Sequence, residues 1–112
     1  MRLCYRMLIL LTVLIVPLLL AFGKGDVTKG KALYSRCAIC HGESGEGKEA
    51  IAKALGVKMP VLGSNEVQSL DDAALKKVIV EGKGKMQAVK LSDSEVDDVI
   101  AFLRSLKKQS PK

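Results

Sequence analysis

Apolar and polar positions divide the chain into blocks with different periodicities. Residues 7–22 are apolar except for Thr12 and Pro17 and show no helical or strand alternation, while Arg2 and Arg6 stand in front of them. A positive start, an apolar run and the small residues Ala21 and Gly23 are the order of parts of a secretory signal peptide. The expected organisation is a leader over residues 1–23, cut after Gly23, and one domain over residues 24–112. An uncleaved anchor is the competing reading, because the run is only slightly short of a membrane span. Cys4 precedes the apolar run, where a lipid-modified cysteine would follow it.

Beyond the leader the pattern turns helical. Asp26 has the chemistry of an N-cap, and Ala32, Leu33 and Tyr34 continue a first helix toward Cys37. Residues 41–47, HGESGEG, are glycine-rich and polar and read as a loop. Residues 49–56 suggest a weak helical turn, and residues 58–63 a connector. A second helix is expected to start at Ser69, with Asp72 three residues on, to carry Ala74, Leu75, Val78 and Ile79 on one face, and to end at Gly82. In the last helix Leu91 and Val96 form a hydrophobic staple around Ser92 and Glu95. Val99, Ile100, Phe102, Leu103 and Leu106 then recur at helical spacing toward Lys107 and Lys108, cations that suit a helix C-terminus. No period-two run and no internal repeat is present. The fold class is therefore all-α: three to four helices joined by long loops.

Composition makes such a domain hard to close. The 112-residue chain has no Trp, two Tyr and two Phe, and one of each aromatic, Tyr5 and Phe22, lies in the leader. Small exported domains usually compensate with disulfides or a metal. After the leader only Cys37 and Cys40 remain, and a bridge between them would close a loop too short to stabilise much. Two of the eighteen basic residues lie in the leader, so sixteen face twelve acids, a formal charge of +4. The lysines are interleaved with acids, which argues against nucleic acid and for docking to an acidic protein surface.

Cys37-Ala-Ile-Cys40-His41 carries the chemistry. Cys-x-x-Cys-His is the attachment signature of a c-type haem. On a helix these three residues stand at i, i+3 and i+4, so two thiols can bond the macrocycle's vinyl carbons while the imidazole lies under the iron. A redox dithiol would want a preceding strand, and a zinc site would want a fourth N or S donor that the chain lacks after His41. Haem would also supply the missing apolar core.

With this motif in view, residues 26–108 resemble the small single-haem class I cytochromes c of the bacterial periplasmic type. The likeness rests on Gly30 and Tyr34 in the first helix, Cys37-Ala-Ile-Cys40-His41-Gly42, the glycines Gly45 and Gly47, Pro60-Val-Leu62, the loop Gly82-Lys-Gly-Lys-Met86, and Val99 and Phe102 in the last helix. The resemblance implies a fold of three to four helices and long loops wrapped around one covalently bound haem c. It implies His41 and Met86 as axial ligands, with Met59 the less favoured sulfur, and the Pro60 carbonyl as acceptor for the second ring nitrogen of His41. It implies that Gly30, Tyr34, Val99 and Phe102 pack where the first and last helices cross. One departure is that Gln87, not proline, follows Met86.

The function expected is one-electron transfer by a monomeric carrier in the periplasm or on the outer face of the cytoplasmic membrane. Its redox partners would dock on Lys83, Lys85 and Lys90, and it would touch a membrane only through an uncleaved leader or a membrane-bound partner. It is not expected to be an enzyme. The rival reading is a five-coordinate haem enzyme or gas sensor, which an unligated sixth position would allow. A third is a cytochrome subunit held in a larger respiratory complex.

Overall fold

A computed structural model describes residues 1–4 and 24–109, and the leader expected over residues 1–23 lies almost wholly outside the described residues. Within residues 24–109 five α-helices follow one another: α1 (Val27–His41), α2 (Glu49–Leu55), α3 (Asn65–Gln68), α4 (Asp72–Glu81) and α5 (Asp93–Ser105), with a 3-10 turn over Leu106–Gln109. Among the described residues no strand occurs, and no helix is long and apolar enough to cross a membrane.

The helix ends follow from side-chain chemistry. Asp26 accepts the Lys29 amide at 3.0 Å, which closes the start of α1. Ser92 and Glu95 form the full capping box expected of α5, each side chain bonding the other's backbone amide. The start of α4 differs from the sequence expectation. Asp71 is its cap and accepts the Ala74 amide at 2.8 Å, whereas Ser69 ends α3 and donates its hydroxyl to the Glu66 carbonyl. The carboxylate lies three residues before the amide it caps, and this leaves Ser69 free to satisfy the preceding turn. Ser64 caps the one-turn α3, a helix that the apolar pattern did not announce because only Val67 of its four residues is buried. The turn expected over residues 49–56 is a seven-residue helix, closed by Gly56 in the left-handed conformation and braced by a Lys53–Glu49 ion pair.

The core sits where α1 crosses α5. Tyr34 and Ala38 of α1 meet Val96, Val99, Ile100, Phe102 and Leu103 of α5, with Leu75 and Ile79 of α4, Val67 of α3 and Leu106 completing the cluster. Gly30 makes the crossing close. A Cβ there would run into the Asp98 carbonyl and stand 3.0 Å from the Cβ of Phe102. Tyr34 and Phe102 pack with ring centroids 4.8 Å apart and planes tilted by 53°.

Arg104 fastens the segment between α3 and α4 to α5. Its guanidinium donates to the carbonyls of Gln68 at 3.0 Å and Leu70, and it pairs with Asp72 at 2.8 Å. The Gln68 amide in turn donates to the carbonyls of Leu62 and Leu103, each at 2.9 Å. One planar cation and one amide thus tie the ends of α3 and α4 to the last helix.

Candidate functional site

The last turns of α1 bring Cys37, Cys40 and His41 together. The helical register places them at i, i+3 and i+4, on one face. Both cysteines are free thiols and half-buried. Burial pushes the Cys37 thiol above its ordinary value, with Arg36 acting in the other direction, so it is held as a thiol at neutral pH. Burial likewise lowers His41 below the usual histidine range, which leaves the ring neutral at pH 7, the form that coordinates metals.

Backbone bonds hold this turn from beyond its end. Gly42, at positive φ, caps α1 and donates to the Ala38 carbonyl at 3.0 Å. The loop then folds back: the Gly47 amide donates to the His41 carbonyl at 2.6 Å and the Lys48 amide to the Cys40 carbonyl at 3.0 Å. Two of the carbonyls that the helix end leaves open are satisfied in this way. The Tyr34 hydroxyl, buried in the core, donates to the Gly42 carbonyl at 2.6 Å. Burial raises Tyr34 well above the usual phenol range, so it remains a donor. Finally Leu62 donates to the Gly45 carbonyl at 2.8 Å, joining the loop to the segment after Pro60.

Pro60, which the resemblance implies as acceptor for the ring, is exposed, and Nδ1 of His41 is buried without a hydrogen-bond partner among the described residues. What reaches the attachment loop from that segment is the backbone of Leu62 and the side chain of Met59. Gly47 is where Met59 packs: a Cβ at Gly47 would lie 3.0 Å from the Met59 Cγ.

Met86 stands on a separate element. Lys83 and Met86 exchange backbone hydrogen bonds of 3.0 and 2.9 Å around Gly84, which takes φ +57°, to make a closed four-residue turn. This turn is tied to α4 where the Val89 amide donates to the Ile79 carbonyl at 2.8 Å. Met86 is half-buried, and Lys83, Lys85 and Lys90 are exposed around it. No hydrogen bond links the Met86 turn to the Cys37–His41 turn among the described residues.

A neutral, half-buried imidazole beside two half-buried thiols at one helix end is a donor set that fits a group from outside the chain. Among the described residues no cluster of three His, Cys, Asp or Glu could hold a bare metal ion, so the donor set suits a macrocyclic iron, which brings most of its own ligands. The family model for cytochrome c matches residues 27–107, from the first residue of α1 to beyond the end of α5. The chain belongs to the cytochrome c family. It is a small class I cytochrome c with the all-α fold of that family, binds haem c covalently and serves electron transfer. Members of the family generally carry electrons and do not act as enzymes. A search of curated proteins found no match.

Proposed function

We propose that this cytochrome carries a single haem c bonded through Cys37 and Cys40, with His41 and Met86 as the iron's axial ligands, and that it passes electrons between exported redox partners. Bound there, the group supplies a one-electron couple, and a thioether ligand favours its ferrous state and raises its potential. The observation that carries the reading is the α1 terminus, where the only Cys-x-x-Cys-His run of the chain brings two half-buried thiols and a neutral, half-buried imidazole to one helix end.

Met86 is favoured over Met59 by surroundings. Met59 already packs on Gly47, the residue whose amide holds the His41 carbonyl. Met86 sits at the closing position of a tight turn with no helical face of its own to join. With both axial positions taken by the chain, substrates have no open coordination site. This separates the carrier reading from an enzyme or gas sensor.

Lys83, Lys85 and Lys90 frame the Met86 turn, and the positive charge outside the leader favours a partner with an acidic face, at association rates that fall as salt rises. The leader pattern of residues 1–23 supports function in the periplasm or at the outer face of the cytoplasmic membrane, as a monomer.

The test is the visible spectrum of the oxidised protein from a host that attaches haem. Wild type and Met59→Ala should show the weak near-red band of methionine sulfur on ferric haem, and Met86→Ala should lose it. Absence of the band in wild type would overturn the ligand assignment and bring the open-site reading forward.

A further inference from the structure

Helix α4 carries two apolar faces, and the core uses one of them. Leu75 and Ile79 are buried in the core cluster. Ala74 and Val78, one turn apart on the adjacent face, line a cleft of about 310 Å³ together with Leu70. Leu70 is exposed although apolar, and Val78 is half-buried. The Met86 turn closes one end of this cleft: Gly82 and Lys83 line it, and a Cβ at Gly82 would stand 2.5 Å from the Met86 carbonyl oxygen. Two exposed cations, Lys77 and Lys83, stand at the rim. Neither takes part in an ion pair among the described residues, although Glu81 lines the same cleft.

An apolar wall with two cations at its edge suits a flat apolar body that carries carboxylates. Haem has that chemistry, and its two carboxylates lie on the edge opposite the vinyl carbons. Bonds from the vinyl carbons to Cys37 and Cys40 leave the carboxylate edge pointing away from the attachment turn. A sulfur ligand from Met86 brings the iron to the turn that closes the cleft. We infer that the α4 cleft receives the carboxylate edge of the haem, with Leu70, Ala74 and Val78 against the ring and Lys77 and Lys83 as counter-ions of its carboxylates. This rests on the proposed attachment and on Met86 as ligand. The ferric centre carries one positive charge more than the ferrous one, so two nearby ammonium groups favour the ferrous state and raise the potential. Lys83 then serves the cofactor, which leaves Lys85 and Lys90 to the docking of partners.

The experiment uses the full chain matured with haem. In the ferrous proton spectrum the ring current of the macrocycle should move the methyl resonances of Ala74 and Val78 upfield, and leave those of Val80, an exposed residue of the same helix, in place. Lys77→Gln and Lys83→Gln should each shift the carboxylate-bending band of the resonance Raman spectrum and lower the reduction potential, with the double variant lower still. Lys31→Gln removes the same charge from an exposed position on α1 and should leave the Raman band at wild type. Unshifted methyl resonances of Ala74 and Val78, or a Raman band indifferent to both lysines, would overturn the inference. So would decanoate moving those methyl resonances in the haem-loaded protein, because the cleft would then take a free amphiphilic carboxylate instead of the cofactor's own. The Met86 reading fails on a different signal, absence of the near-red band in ferric wild type. With that band present, indifference to the lysines counts against the cleft alone.

Discussion

The two parts of the site are held in different ways. The Cys37–His41 turn is the end of a fifteen-residue helix pressed into the core, and its carbonyls are bonded by Gly47, Lys48 and, one residue on, Tyr34. The Met86 turn is closed by its own two backbone bonds and fastened to α4 by Val89 alone of the backbone amides beyond the turn. The attachment turn is thus built into the cooperative core, while the Met86 side chain rides on a local structure whose opening need not unfold the helices. Regions with few buried contacts open at lower free energy than the core. Under the proposed ligation this division is useful, because the covalent end must survive every fluctuation and the Met86 end can be tuned by sequence without disturbing the fold.

The comparison breaks most completely at the thiols. Replacing Cys37 and Cys40 together by serine should abolish covalent haem, seen as loss of haem stain on a denaturing gel. The core around Tyr34 and Phe102 would then lack its cofactor, and the helical circular dichroism should fall. Next in size, Gly30→Val should force α1 off α5 at the Asp98 carbonyl and cost about 3 kcal/mol in denaturant unfolding. Its effect should fall on global unfolding and leave the Met86 turn's own opening unchanged. Arg104→Met removes donors from the Gln68 and Leu70 carbonyls and should cost about 2 kcal/mol, read as a lower midpoint at unchanged slope.

Gly84→Ala addresses the other region. Its backbone is at φ +57° with no neighbour within 4 Å of an added Cβ, so the cost is conformational and about 1 kcal/mol. The near-red sulfur band should disappear at a lower temperature than in wild type, while the melting of the helices stays in place; equal shifts of both would show that the two regions open as one. The smallest effect belongs to Lys76 and Asp93, an exposed pair with a 2.9 Å contact between α4 and α5. The hydrogen bond and charge of Lys76 hold the Asp93 carboxyl below its ordinary value. Stability from this pair is therefore present above the ordinary carboxylate range and is lost as pH falls through the lowered value. Asp93→Asn should flatten that acid limb slightly and change nothing at the haem.

Sequence legibility also divided along this line. The caps at Asp26 and Ser92, the end of α4 at Gly82 and the apolar face of α5 could be read because each depends on residues within four positions of one another. The cap of α4 was misplaced to Ser69 because Ser69 and Asp71 carry the same local signal, and the choice depended on Ser69 closing a helix, α3, that has almost no apolar pattern. The Pro60 carbonyl as acceptor for His41 is implied by the family likeness alone, since no local spacing encodes how the segment of Pro60 approaches the ring. Tyr34 was visible as a packing residue, but its bond to Gly42 was not. That bond depends on α1 ending at His41 and the loop turning back at Gly42.

By itself the sequence determined that this is an all-α domain with one haem-attachment turn, because both follow from short-range spacing: helical periodicity for the fold, and i, i+3, i+4 for Cys37, Cys40 and His41. Tertiary structure alone decided what holds that turn in place. Its carbonyls are held by Gly47 and Lys48 of the returning loop, which Tyr34 braces at Gly42 and Leu62 at Gly45, and only the packing of α1 on α5 and the return of the glycine loop bring these donors within 3 Å of the carbonyls they hold.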